Sequence, residues 1–413
     1  MRVLMLSELY PPHIGGVEQH VRNLSQGLVA RGHEVTVATM AAPGLDAPSS
    51  DGDVSVARLR GTIHRLGGIA TPEGRPHAPP VPDPEVVRAV GRLIERDRPD
   101  IVHAHNWIGR SYVTLKPRVG APFVLSLHNY GVVCAKQSFM YKGRPCTGPG
   151  FSKCLHCAAA NYGTARGMAI AMGNWAMQPF ERRAVDMFLP VSRAVAEGNR
   201  LAELGRPYEV LPNFVPDNVA ARRRGRKRTL DDQLPSGPFW LYVGTLSRHK
   251  GVHVLLNAYE QIEGAPPLVL IGPPWYDTPA EFPANTVVIR GLPHEAVMEA
   301  WSRAALGIVP SVFPDPCPTV AMEAMASGVP LVASRVGGLP DLVADGETGL
   351  LVPPSDPSAL RSALTKMLHN PAEADRMRMK AKSKVKAFMA TVVLDQLLSI
   401  YDRVSRDSER ERA

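Results

Sequence analysis

The sequence predicts an α/β protein made of doubly wound parallel sheets, and three observations carry that prediction. Short apolar strand patterns alternate with helix patterns from the first residues onward. At 413 residues the chain is long enough for two domains, each with a sizeable core. A second alternating series starts at Phe239-Trp240-Leu241-Tyr242-Val243, after a turn-rich basic stretch.

Residues 2–7 read as the first strand, Val17 to Ala30 as an amphipathic helix stopped by Arg31-Gly32-His33, and Glu34 to Thr39 as the second strand. Residues 41–53 and 67–84 are rich in Pro, Gly, Ala and other small residues and read as surface loops. From Pro84 to Arg96, apolar Val86, Val87, Val90, Leu93 and Ile94 alternate with Arg88, Arg92 and Arg96, which predicts a helix with a basic outer face. Ile101–His105 and Phe123–Leu127 are buried strands, 163–185 is helical, and 187–191 is a strand followed by Ser192 as helix N-cap. Strands follow at 268–271, 286–289, 305–309 and 331–333, with helices from about Gly251 and at Thr319 to Ala326. Beyond residue 355 the chain reads as helical. The expected domains are therefore 1–215 and 238–390, joined by a linker at 216–237 and followed by a terminal helix over 391–413.

Composition excludes several classes. Hydrophobic content of 45% and charged content of 21% are ordinary for a globular chain. No apolar run approaches the ~18 residues of a membrane span, and Arg2-Val3-Leu4-Met5-Leu6 lacks a signal-peptide layout. A cytoplasmic protein with reduced thiols is the expectation. The net charge of +8 is partly local, because Arg222-Arg223-Arg224-Gly225-Arg226-Lys227-Arg228 packs six cations into seven residues. Such a run is a solvated loop or a peripheral contact with an anionic membrane surface. No basic surface interleaved with aromatics supports nucleic-acid binding.

The chemistry is expected between Pro310 and Ser334, PSVFPDPCPTVAMEAMASGVPLVAS. A strand, a proline-laden loop and a helix start follow one another there, and such loops bind ligands in open α/β sheets. The amides of Thr319 and Val320 and the helix dipole favour an anion such as a diphosphate. Glu323 suits the vicinal hydroxyls of a ribose, and Asp315 those of a sugar. The same strand–loop–helix arrangement recurs at Tyr10-Pro11-Pro12-His13-Ile14-Gly15-Gly16-Val17-Glu18 and at Val243-Gly244-Thr245-Leu246-Ser247-Arg248-His249-Lys250-Gly251. In the first, Gly15 and Gly16 let a ligand approach the backbone closely. In the second, Lys250 and Arg248 offer positive charge to a departing diphosphate. His128 stands just past a strand end, while His103 and His105 alone are too few for zinc.

Asp315 and Glu323 in their x7 spacing, with the EAMASGVPLVAS and VGGLPDLV runs and Asp345-Gly346-Glu347-Thr348-Gly349, resemble family 4 of the retaining glycosyltransferases. The PPxxGGVE start, the LHNY stretch at His128 and the VHAH strand end resemble the same family. The resemblance implies a GT-B fold, two Rossmann-like domains facing across a cleft, the C-terminal one holding a nucleotide-sugar donor. It implies retaining, metal-independent transfer of a sugar from a UDP- or GDP-sugar to a hydroxyl acceptor. Lys250, Arg248, Asp315, Glu323 and His128 would then be catalytic, with Gly15, Gly16, Gly244, Thr319 and Val320 on the donor. The loops at Gly272-Pro273-Pro274-Trp275 and Gly291-Leu292-Pro293-His294 would face the base. Thr245 stands where the family has an arginine, with Arg248 as the substitute, and Cys317-Pro318 replaces a Phe-Gly pair. A sugar-nucleotide epimerase and a non-catalytic binding subunit are the alternatives.

Four of the five cysteines, Cys134, Cys146, Cys154 and Cys157, fall within 24 residues among Gly143, Pro145, Gly148, Pro149 and Gly150. Cys154-x-x-Cys157 suits a zinc ligand pair, with Cys134 and Cys146 completing four thiolates. Free thiols, disulfides and an iron–sulfur centre are the other readings.

Overall fold

A computed structural model describes residues 1–412 except 14, 43, 63–77, 220–229 and 231. The chain divides into two compact units. The first comprises Met1–Tyr141, Cys146–Pro212 and Val393–Ala413; the second comprises Lys142–Pro145 and Asn213–Val392. The division at Pro212 moves residues 213–215 into the second unit, against the sequence expectation. The reason is backbone pairing: Val215 and Met389 form a bridge, and Ala390 N–H donates to the Val215 carbonyl at 2.9 Å. Most of the expected linker counts with the second unit as well, and its basic run at 222–228 lies outside the described residues.

The first unit's strands are β1 (Arg2–Ser7), β2 (Glu34–Met40), β3 (Ser49–Asp51), β4 (Val54–Leu59), β5 (Ile101–His105) and β6 (Phe123–Leu127). The cysteine-bearing insertion then carries β7 (Met140–Tyr141) and β8 (Arg144–Pro145), the latter counted with the second unit, and β9 (Met187–Pro190) ends the first unit's series. The large sheet runs β3-β4-β2-β1-β5-β6-β9, parallel except for the β3–β4 pair. β5 and β6 are buried along their whole length, as central strands of a parallel sheet are, and they take His103, His105 and Ser126 into the interior with them. Gly32, at φ +82°, ends the first helix (Gly16–Val29) in the left-handed region that glycine adopts without strain. Asp83 caps the helix Pro84–Asp97 by accepting from the amides of Glu85 and Val86. Ser192 accepts from the Val195 amide at 3.3 Å, as an N-cap should.

Three features were not expected. Residues 49–59 form a hairpin of β3 and β4, so the expected loop over 41–53 is partly strand. The helix Phe151–Tyr162 carries Cys154 and Cys157, where a glycine-rich loop was expected. Arg110 is wholly buried, its guanidinium bonded to both carboxylate oxygens of Glu181 at 2.8 and 3.0 Å, to Asn174 and to the Pro80 carbonyl. The terminal helix Ala390–Arg412 contributes its residues from Val393 onward to the first unit. Leu394 lies against Gly27 there, and Arg31 pairs with Asp395.

The second unit holds β10 (Trp240–Val243), β11 (Leu268–Ile271), β12 (Thr286–Ile289), β13 (Leu306–Val309), β14 (Leu331–Ser334) and β15 (Gly349–Val352). They form one wholly parallel sheet in the order β12-β11-β10-β13-β14-β15. The connections from β10 run outward to β11 and β12, while those from β13 run the other way. The strand order therefore reverses between β10 and β13, where such sheets take ligands. In the first unit the same reversal falls between β1 and β5.

Candidate active site

In the second unit the loops after β10 and β13 are tied together at the reversal point. The His249 carbonyl accepts from the amides of Val312 and Phe313 at 2.9 and 3.2 Å. Gly251 has φ +81°, and a Cβ there would lie 1.8 Å from the Pro310 oxygen, so only glycine lets these loops meet. That approach carries Lys250 to Asp315, Nζ to Oδ2 at 2.6 Å, with the ammonium 4.9 Å from the Phe313 ring centroid. Asp315 is held from the other side too. Its carbonyl accepts from Gly338 at 2.8 Å, and a Cβ on Gly337 would meet its backbone at 2.2 Å. Asp315 and burial together push the Tyr242 hydroxyl far above its ordinary range, burial contributing most.

The helix Thr319–Ala326 starts at Pro318 with no side-chain cap on its first amides. Those of Thr319 and Val320 are the donors such a terminus offers an anion. Glu323 is buried one turn along, and His294 Nε2 lies 2.9 Å from its Oε1. The Gly291–His294 loop thus reaches Glu323 directly. The Gly272–Trp275 loop reaches the other side: Leu246 N–H donates to Pro273, and the Trp275 ring sits edge-on to His249 at 6.5 Å. Gly272 approaches Gly244 so closely that a Cβ would lie 1.9 Å from the Gly244 oxygen. Arg248 is exposed, and its amide rather than its guanidinium is anchored, at 3.3 Å from Asp277.

In the first unit Gly15 is extended, and a Cβ there would press on the Glu18 carboxylate at 2.2 Å; Gly16 has open space beside it. The preceding loop is fixed by Asp51, which accepts from Arg22 at 2.6 and 2.9 Å and from the Tyr10 hydroxyl at 3.0 Å. His128 follows β6 and belongs to a buried histidine cluster. Its Nε2 is 2.9 Å from His105 Nδ1, and its amide donates to Asn106. His103 stacks on His105 at 4.5 Å and bonds Ser126 at 2.8 Å and the Tyr401 hydroxyl at 2.6 Å. His20, His105 and His128 converge within 4.8 Å, a grouping that neither the VHAH strand nor the first helix shows alone in sequence.

Two family models match the chain: "Glycosyltransferase Family 4" over residues 14–219 and "Glycosyl transferases group 1" over 231–384. Together they take in most of its length. The chain is a family 4 glycosyltransferase of the GT-B fold. Among its relatives is the glycogen synthase of Mycobacterium tuberculosis, 27% identical over 93% of this chain and 90% of that one. Among solved structures, sucrose-phosphate synthase from Thermosynechococcus elongatus superposes with a TM-score of 0.74 at 23% identity, covering 98% of both chains. Anabaena HepE, solved with UDP-glucose, has a TM-score of 0.67 at 15% identity over 98% of this chain and 100% of its own. The glycosyltransferase has no helix among its described residues long and apolar enough to cross a membrane.

Burial dominates the histidine cluster's electrostatics. It pushes His103 down to about 3, with the neighbouring His128 adding to the effect, and pushes His20 and His105 well below the ordinary value of 6.5. Unfolding therefore takes up protons, and the stability this supplies is full above about pH 6.5 and is lost as pH falls towards the folded values. Each such histidine contributes up to about 1.4 kcal/mol per pH unit in that window. Urea midpoints of the glycosyltransferase's first unit should fall steadily between about pH 7 and pH 5. A flat profile would mean the rings are already charged when folded.

Proposed function

We propose that this nucleotide-sugar-dependent glycosyltransferase moves a sugar from a UDP- or GDP-sugar to a hydroxyl acceptor with retention of anomeric configuration and without a catalytic metal. The observation that carries the reading is the meeting of Lys250 and Asp315 at the strand-order reversal, beside a helix whose first amides have no side-chain cap. Asp315 fixes the Lys250 ammonium, which keeps donor capacity for diphosphate oxygens. The amides of Thr319 and Val320 add preorganised positive ends where the leaving diphosphate gains charge. Glu323 accepts from the ribose hydroxyls, with His294 orienting its carboxylate, and Asp315 accepts from the sugar. Gly244 leaves room for the donor at the end of β10, and Arg248, free to swing, supplies a second cation. In the first unit, Gly15 and Gly16 leave the backbone open to a ligand, and the histidine cluster fixes the His128 ring in place. The leaving diphosphate takes the acceptor's proton on the face it departs from.

Product analysis with labelled donors tests this. UDP-glucose is the first to try, since HepE shares the fold and was solved with it. The expected result is acceptor-dependent transfer that survives a chelator and yields a product with the donor's anomeric configuration. Epimerised donor formed without acceptor, an inverted product or loss of turnover in chelator would each overturn part of the reading.

A further inference from the structure

We propose that Cys134, Cys146, Cys154 and Cys157 form a structural zinc site within the first unit. All four residues line one pocket, with Lys136, Phe139 and Lys153 around them. Cys154 and Cys157 are three residues apart on the helix Phe151–Tyr162, so both sulfurs leave the same face. Cys134 and Cys146 come from the preceding loop, which the Cys146 amide closes by donating to the Phe139 carbonyl at 2.8 Å. All four thiols are free.

One of the sulfurs already has a backbone donor. The Gly150 amide donates to Cys154 Sγ at 3.4 Å. Amide donors around metal-bound sulfur are the outer shell that tetrathiolate sites need. The insertion also lacks a core of its own: Ala135, Ala158 and Ala171, with Leu155 and Ile170, are its small apolar cluster. A bound ion supplies the folding energy that such a segment cannot obtain from burial. Among the described residues the group of metal-ligating atoms that converges within 4.8 Å is the histidine one, so zinc at about 2.3 Å from each sulfur would draw the loop inward onto the helix. The site owes nothing to the donor-binding reading.

The test uses the full chain, expressed in zinc-supplemented medium and purified under reducing conditions. Elemental analysis should find about one zinc per chain, with a chelator removing it, lowering Tm and exposing four thiols to a thiol reagent, and added zinc restoring Tm. Cys154→Ser and Cys157→Ser should lose the metal, while Cys317→Ser should keep it. Should the serine variants not fold, chelation and reloading of the wild type still decide the matter. Zinc-free protein with four reactive thiols, iron with visible absorption, or thiols missing as disulfides would each overturn the proposal.

Discussion

Lys250→Ala should lower kcat/KM for transfer by about 10² to 10³, the usual cost of removing one preorganised group that stabilises developing charge, and Glu323→Ala should lower it through weaker donor binding. The two losses should differ in character. Removing the ammonium strips Asp315 of its partner as well as the diphosphate of a cation, so both kcat and donor KM should suffer. Removing the Glu323 carboxylate takes away the proposed ribose contacts, which would be the same in ground and transition state, so donor KM should carry most of that change. Neither substitution should unfold the protein. Glu323 sits in a helix held by its buried apolar neighbours Met322, Ala324, Met325 and Ala326, and Lys250 is partly exposed. Circular dichroism melts would check this, and wild-type turnover in either variant would remove that residue from the site. Arg248→Ala should be milder, because its side chain is exposed.

The largest stability effect is expected in the first unit. Arg110 has a fully buried side chain, and that of Glu181 is 4% exposed. Arg110→Ala leaves the Glu181 carboxylate buried without its cation, together with an Asn174 oxygen and the Pro80 carbonyl that lose a donor. Breaking such a pair from one side costs about 3–5 kcal/mol. Replacing both partners at once, as in Arg110→Met with Glu181→Leu, should recover part of the loss, because no lone charge stays buried. Denaturant titration of the single and double variants measures the difference. A single-variant loss under about 1 kcal/mol would mean that water reaches Glu181 freely.

Much of the scaffold was legible because parallel sheets announce themselves. Ile101–His105, Phe123–Leu127 and Leu268–Ile271 are short, largely apolar runs with sharp ends, and each forms a strand over those residues. β3 and β4 escaped notice because Ser49-Ser50-Asp51 is polar and sits on the sheet edge, where pairing rather than burial makes the strand. The cysteine helix escaped because glycine and proline crowd its approach, although Phe151 to Tyr162 itself holds good helix formers. At the site, spacing and resemblance brought out Lys250, Asp315 and Glu323. They did not bring out His294 beside Glu323 or His20 beside His128, since each partner lies far away in sequence and only the fold joins them. Arg110 was invisible for the same reason. Its partner Glu181 is 71 residues along the chain, and an arginine in a short helix gives no sign of burial.

The most direct measurement is a calorimetric titration of UDP, and of GDP, into the wild type and Lys250→Ala. Binding of one nucleoside diphosphate to the wild type, weakened tenfold or more by the substitution, is the expected result. Equal affinity in both proteins would place the diphosphate elsewhere and contradict the assignment of Lys250 to it.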